Sequence, residues 1–408
     1  MEITPIEGGV CAAKGFSAGG VHCGIRKNTS KLDLALIYSE TPCAAAAVYT
    51  RNKVCGAPIT VTRAHLANGQ ARAVICNSGN ANTCNADGVQ KAQLMCAALA
   101  RGLHIEETDI AVASTGVIGQ PLPIDPILSN IDPLIRSCRK DGEGSRMAGT
   151  AIMTTDTHEK EASAAFSLNG KECHIGGIAK GSGMIEPNMA TMLCFITTDA
   201  AISPEMLQKA LSADVQTTFN MVSIDGDTST NDTLVLLANG AAGNAPVEAE
   251  GEAFETFCAA LHEVTTCLCR MIAKDGEGAT KLLTCTVRGA DGQETARKIA
   301  KSVIKSTLFK CAVFGCDANW GRILCAIGYT EAEFEIGKVA VWLSSKGGRV
   351  QVCRNGAGLD FSEDEALLVL QEDEVTVEVD MGSGEETATA WGCDLSYDYV
   401  KINGDYRT

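Results

Sequence analysis

The most constraining stretch of this chain is residues 71–114, in which two apolar runs bracket a segment of helical period. Ala71-Arg72-Ala73-Val74-Ile75-Cys76 runs into the polar turn Asn77-Ser78-Gly79-Asn80. From Asp87 to Gly102, the residues Val89, Leu94, Ala97, Leu99 and Ala100 form an apolar stripe, as an amphipathic helix requires. Residues 109–114 read as a second strand, ending on Thr115-Gly116. Strand, helix and strand in that order imply a mixed α/β sheet.

The rest of the chain fits that expectation. Residues 31–62 alternate apolar stretches with turn signals and read as strands. Ser163 to Ile178 reads as a hairpin, because Asn169-Gly170 is the favoured dipeptide for a type I′ turn. Thr191–Thr198 reads as a strand. Ser203-Pro204 starts a helix, with serine as cap and proline in the first turn. Further helices are expected over Ala253–Lys274 and Glu294–Ser306, and Val339–Val379 is strand-rich. No fixed-period repeat and no Pro/Gly/Ser linker marks a domain boundary, although 408 residues would ordinarily divide into two or three domains.

Composition narrows the function. Hydrophobic residues at 45% and charged residues at 21% describe a chain with a large core. A net charge of −16 without a basic cluster argues against nucleic-acid binding, which depends on neutralising phosphates. The start, Met1-Glu2-Ile3-Thr4-Pro5-Ile6-Glu7, has no basic or apolar leader, and no apolar run reaches the ~20 residues of a membrane span. A cytoplasmic location without membrane contact is the expectation. The 19 cysteines contain no C-x-x-C pair and mostly sit in apolar runs, such as Cys76 and Cys325. They read as reduced thiols used as small core residues rather than as metal ligands.

Common catalytic signatures are missing. The chain has no P-loop, no Rossmann fingerprint and no zincin helix. Gly181-Ser182-Gly183 is preceded by Lys180, so it is no serine nucleophile elbow. Asp225-Gly226-Asp227 has its glycine in the wrong place for a calcium loop. None of the six histidines (His22, His65, His104, His158, His174, His262) adjoins an obvious nucleophile. A covalent enzyme built from this chain would therefore look to another base, such as the N-terminal amine of a threonine nucleophile.

Residues 179–200 read Ala-Lys-Gly-Ser-Gly-Met-Ile-Glu-Pro-Asn-Met-Ala-Thr-Met-Leu-Cys-Phe-Ile-Thr-Thr-Asp-Ala. A glycine-rich loop passes through Pro187 into an apolar strand whose first residue is Thr191. On spacing alone, Thr191 reads more simply as a β-branched strand residue than as a nucleophile. The stretch resembles the processing site of the ornithine acetyltransferase family (ArgJ, glutamate N-acetyltransferase). Asn77-Ser-Gly-Asn-Ala-Asn82, Ala113-Ser-Thr-Gly-Val-Ile-Gly119, Ile152-Met-Thr-Thr-Asp-Thr157 and Asp225-Gly-Asp-Thr-Ser-Thr-Asn-Asp232 match in the same order. So do Asp275-Gly-Glu-Gly-Ala-Thr-Lys281, Asp317-Ala-Asn-Trp-Gly-Arg322 and the terminal Ile402-Asn-Gly-Asp-Tyr-Arg-Thr408.

The resemblance implies a self-processing, N-terminal-nucleophile-type fold (ArgJ/DmpA-like), with mixed sheets flanked by helices. It implies a precursor cut between Ala190 and Thr191 into an α chain, residues 1–190, and a β chain, residues 191–408. Thr191 would then carry an acetyl group from N-acetylornithine to glutamate, with Thr115 and Gly116 as the oxyanion hole. Substrate contacts would map onto Thr154, Lys180, Thr191, Glu277, Asn403 and Thr408. Neither a metal nor an organic cofactor is implied; acetyl-CoA enters as a co-substrate only if the enzyme is bifunctional. The assembly implied is an α2β2 heterotetramer. The competing expectation is an N-terminal-nucleophile aminopeptidase or amidohydrolase of related fold, which would transfer to water.

Overall fold

The structure is a computed structural model that describes residues 2–186 and 192–405. Ala190, Thr191 and Thr408 lie outside the described residues. The chain forms two compact units. The first comprises residues 1–181, 188–216 and 228–268, and the second residues 182–187, 217–227 and 269–408. These units do not follow the expected fragments, because each unit contains residues from both sides of the 190/191 bond.

The first unit is built on a nine-stranded mixed sheet. Its strands are β1 (Thr4–Ile6), β2 (Phe16–Val21), β3 (Leu34–Tyr49), β4 (Gln70–Asn77) and β5 (Ile110–Ser114). They are joined by β6 (Lys160–Leu168), β7 (Lys171–Lys180), β8 (Leu193–Thr198) and β10 (Thr233–Ala238). The order is β1-β6-β7-β8-β10-β3-β4-β5, with β2 also paired to β3. Two neighbouring pairs are parallel, β4 with β5 and β8 with β10. The chain crosses from β4 to β5 through helix α2 (Gly88–Leu103), as the sequence order requires.

Along β4, successive side chains enter opposite cores. Val74 and Cys76 pack with Phe16, Ile37, Ile178 and Phe195, whereas Ala73 and Ile75 pack with Met95, Leu99 and Val112. Helix α5 (Gly142–Ile152) supplies Ala148, Ala151 and Ile152 to the first core. Helices α2, α3 (Ile124–Ser129) and α4 (Ile131–Ser137) supply the second. The β6–β7 hairpin turns on Asn169 (φ +50°) and Gly170 (φ +74°), both left-handed as a type I′ turn needs. Helix α6 (Pro204–Asp214) is capped by Ser203, whose Oγ accepts from the Met206 amide at 3.3 Å.

Two expectations need correction. Cys325, expected in the core, is exposed, because its helix (Trp320–Gly328) buries Ile323, Ala326 and Ile327 instead. Residues 57–62 are not strand but the start of helix α1 (Ala57–His65). The run Pro-Ile-Thr-Val-Thr favours strand by propensity. Tertiary contacts decide otherwise. Pro58 sits in the first turn, Ile59 and Val61 are buried, and the Thr62 hydroxyl donates to the Val112 carbonyl (2.6 Å) while accepting from its amide (2.7 Å).

In the second unit a seven-stranded sheet runs β14-β13-β12-β15-β11-β16-β9. These are β9 (Val222–Ser223), β11 (Leu282–Ala290), β12 (Ala340–Ser345), β13 (Gly348–Arg354), β14 (Ala357–Gly358), β15 (Glu374–Asp380) and β16 (Glu386–Cys393). Helix α7 (Glu252–Lys274) leads into this unit. Helix α8 (Gln293–Lys305) lies on β11 and β16 and buries Ala296, Ile299, Ala300, Val303 and Ile304, a stripe of helical spacing. The remaining helices are α9 (Thr307–Phe314), α10 (Trp320–Gly328), α11 (Glu363–Leu370) and α12 (Tyr397–Gly404). Among the described residues, no helix is long and apolar enough to cross a membrane.

Candidate functional site

The expected site residues fall into two groups, one in each unit. In the first unit, Thr115 and Gly116 follow β5 directly. The Thr115 amide is committed to the Asn77 carbonyl at 3.0 Å, so its hydroxyl is the donor it has left. Gly116 has φ +131°, a conformation that side chains rarely adopt. A Cβ here would stand 2.4 Å from the Gly79 carbonyl carbon and 2.5 Å from the Asn80 nitrogen, both backbone atoms. Only glycine therefore lets this loop lie against the Asn77–Asn80 turn. Among the described residues the Gly116 amide has no acceptor. A free amide beside a hydroxyl is the donor set an oxyanion needs.

The loop is held from below by Asn231. Its Nδ2 donates to the carbonyls of Ala81 (2.6 Å) and Ser114 (2.9 Å), and its Oδ1 accepts from the Thr83 hydroxyl (2.6 Å). Asn231 belongs to the Asp225–Asp232 motif, but sequence reasoning gave it no role. Its partners lie far away in the chain, and only the fold brings them together.

Lys180 closes β7 and is 7% exposed, so it is not the solvated loop charge that its glycine-rich context suggests. Its charge acts on Asp156, which is 6% exposed. Asp156 is the hub of this corner. Oδ1 accepts from Lys160 Nζ (2.7 Å) and the Gly181 amide (2.6 Å), and Oδ2 accepts from the Thr154 amide (3.0 Å). Burial opposes its charge, but Lys180 and Lys160 outweigh that and hold its carboxyl below the usual carboxylate range. One buried anion thus fixes Thr154 and the Lys180-Gly181 step together. Asp156 lies in the quoted Ile152–Thr157 motif, yet nothing in its spacing announces this role.

In the second unit, Glu277 follows α7 and is 8% exposed. Its amide donates to the Ser182 carbonyl (2.8 Å), and its Oε2 accepts from Asn403 Nδ2 (2.7 Å) on α12. The structure therefore brings these two expected substrate contacts together. Gly183 packs against the same carboxylate: a Cβ there would lie 2.4 Å from Glu277 Cδ. Asp225 pins the loop that follows, accepting from the amides of Met184 (2.6 Å) and Ile185 (2.9 Å) and from the Tyr399 hydroxyl (3.2 Å). This explains the Asp225-Gly-Asp motif without a cation. Among the described residues, no group of three or more His, Cys, Asp or Glu could hold a metal ion.

Comparison with known proteins gives matches along the whole chain. The family model of the ArgJ family matches residues 17–408. The Arginine biosynthesis bifunctional protein ArgJ 1 of Clostridium acetobutylicum is 50% identical over 394 residues, 96% of each chain. The Arginine biosynthesis bifunctional protein ArgJ of Caldanaerobacter subterraneus subsp. tengcongensis is 49% identical over 409 residues, covering both chains completely. Among solved structures, the argJ protein of Bacillus halodurans is 45% identical, with 46% of this chain and 98% of that chain covered and a TM-score of 0.45. The chain belongs to the ArgJ family.

Proposed function

We propose that this chain is a glutamate N-acetyltransferase of arginine biosynthesis, which cuts itself between Ala190 and Thr191 and transfers acetyl groups through Thr191. The observation that carries the reading is the end-to-end identity of about half with relatives named Arginine biosynthesis bifunctional protein ArgJ. In the cut, the Thr191 hydroxyl adds to the Ala190 carbonyl. The C–N bond breaks, an ester replaces the peptide, and water hydrolyses it to a carboxylate at Ala190 and a free hydroxyl and amine at Thr191. The new α-amine, with an ordinary pKa of about 7.7–8.0, is in part neutral near pH 7 and serves as general base.

In each turnover the Thr191 hydroxyl attacks the acetyl carbonyl of N-acetylornithine. Ornithine leaves with its amine protonated, and glutamate then takes the acetyl group from Thr191. The oxyanion of each tetrahedral intermediate is assigned to the Thr115 hydroxyl and the Gly116 amide. Lys180 offers a buried cation for a substrate carboxylate, Glu277 a buried anion for a cationic nitrogen, and Thr154 and Asn403 hydrogen bonds; Thr408 completes the assignment. Acetyl-CoA is the second acetyl donor proposed for a bifunctional enzyme.

Sheet order supports fragments that stay together after the cut. Strands β8 and β10, downstream of Thr191, lie between β7 and β3, both upstream. Each is hydrogen-bonded along its length to a strand of the other fragment. Separating the chains would unzip the middle of a sheet, so an αβ pair, doubled to α2β2, is the assembly proposed. Incubation with N-acetylornithine, with and without glutamate, tests the reading. Sustained ornithine release should require glutamate, and equal release without it would instead make the protein a hydrolase.

A further inference from the structure

Two loops carry or support the candidate oxyanion donors, and one buried side chain grips both. Residues 78–83 follow β4, and residues 115–119 follow β5. They meet where Asn80 forms backbone bridges with Thr115 and Val117. Asn231, which precedes β10, is 6% exposed. Its Nδ2 donates to the carbonyl of Ala81, the residue after Asn80, and to the carbonyl of Ser114, the residue before Thr115. Its Oδ1 accepts from the hydroxyls of Thr83 and Thr230, each at 2.6 Å.

These partners fix which way the amide faces. Carbonyls only accept, so the NH2 must point at Ala81 and Ser114, and the hydroxyls meet the oxygen. The side chain also has no room to shift towards residue 56: a Cβ on Gly56 would stand 2.6 Å from Nδ2. Asn231 is therefore a fixed clamp across the two loops. Its polar atoms are engaged with the loops and Thr230, so any effect on the reaction passes through Thr115 and Gly116.

We propose that Asn231 is a positioning residue for the oxyanion hole: its amide sets the spacing of the two loops and thereby aims the Thr115 hydroxyl and the Gly116 amide at one point. The inference rests on the assignment of those two donors in the reading above. Oxyanion donors act only when they lie within hydrogen-bond distance of the oxygen as its charge develops. A slackened clamp should therefore slow the transfer step and leave substrate binding intact.

The test uses Asn231→Asp, which keeps the side chain's size but turns a carboxylate oxygen onto two carbonyls. Transfer to glutamate is measured per cut chain, counted on denaturing gels. The acetyl donors are N-acetylornithine and N-thioacetylornithine, whose sulfur accepts hydrogen bonds poorly. The variant is expected to lose about 100-fold in kcat with N-acetylornithine, the scale of an ångström-sized misplacement. Its KM should stay within about twofold, as for an interaction made only in the transition state. The wild-type preference for oxygen over sulfur should shrink with kcat, whereas a merely destabilised protein would lose both donors alike. A folded Asn231→Asp with wild-type kcat, or with an unchanged oxygen preference, overturns the proposal. If thermal melting finds the variant unfolded, or gels find it uncut, Thr83→Val decides. It removes one hydroxyl from Oδ1 and should lower kcat about threefold to tenfold, the worth of one hydrogen bond. A reduced oxygen preference then supports the proposal, and an unchanged one overturns it. Thr115→Ala separates the two levels of the argument. If it keeps the wild-type kcat, the oxyanion assignment fails and this inference fails with it. If it loses activity while Asn231→Asp does not, this inference alone fails.

Discussion

Gly116→Ala separates the backbone account of the oxyanion loop from its chemical role. The new Cβ would meet the Gly79 carbonyl carbon at 2.4 Å, the Asn80 nitrogen at 2.5 Å and the Gly79 Cα at 2.8 Å. All three are backbone atoms, so no side chain can swing away. Holding a non-glycine residue at φ +131° costs about 1–3 kcal/mol. Overpacking against fixed neighbours typically adds about 1–3 kcal/mol. A loss of about 2–6 kcal/mol is expected, read as a shift in the urea midpoint. Relief of the clash must move the Gly116 amide, so transfer from N-acetylornithine to glutamate should fall about 100- to 1,000-fold in kcat in the protein that remains folded. Stability within about 0.5 kcal/mol of the parent would refute the packing argument. A destabilised variant with unchanged kcat would refute the oxyanion role while sparing the packing.

Asp156→Asn should cost about 3–5 kcal/mol in denaturant unfolding, because it removes the buried carboxylate charge that faces Lys160 and Lys180 and breaks the Asp156–Lys160 ion pair. The Asp156 carboxyl is held below its unfolded value, so its stabilising contribution is fully present above about pH 4 and fades as pH falls further. A melting temperature that shows no acid-side dependence on Asp156 would contradict this. Glu277→Gln should raise KM for N-acetylornithine about tenfold to a hundredfold, the worth of a charged hydrogen bond, and an unchanged KM would remove Glu277 from the substrate site. Burial pushes the thiols of Cys11, Cys23, Cys96 and Cys138 up to about 12. Mild alkylation of the native protein near pH 8 should therefore label the exposed Cys55, Cys84, Cys311 and Cys325, and mass mapping that finds Cys11, Cys23, Cys96 or Cys138 modified first would contradict it.

Periodicity reached the parts of the fold that local sequence controls. The stripe of α2, the cap of α6 and the Asn169-Gly170 turn are each decided by residues within a few positions of one another. It failed at α1, where β-branched residues in a strand-like run are made helical by a contact from Thr62 to Val112, 50 positions away. The site shows the same divide. Lys180 and Glu277 stand out as charges in glycine-rich segments, but that both are buried is a property of the assembled chain. Asp156 and Asn231 sit inside recognisable motifs. What each does depends on partners or burial that no spacing encodes, and Asn231 meets Thr83 from 148 positions along the chain.

The central claim is that breaking the Ala190–Thr191 bond creates the amine that makes Thr191 work. Intact-mass spectrometry of the denatured protein, before and after brief exposure to N-acetylornithine without glutamate, tests it most directly. The account predicts two chains, residues 1–190 and 191–408, with the second gaining one acetyl group on its first residue and losing it when glutamate is added. A single 408-residue species that nevertheless transfers acetyl groups, or an acetyl group lodged elsewhere, would contradict it.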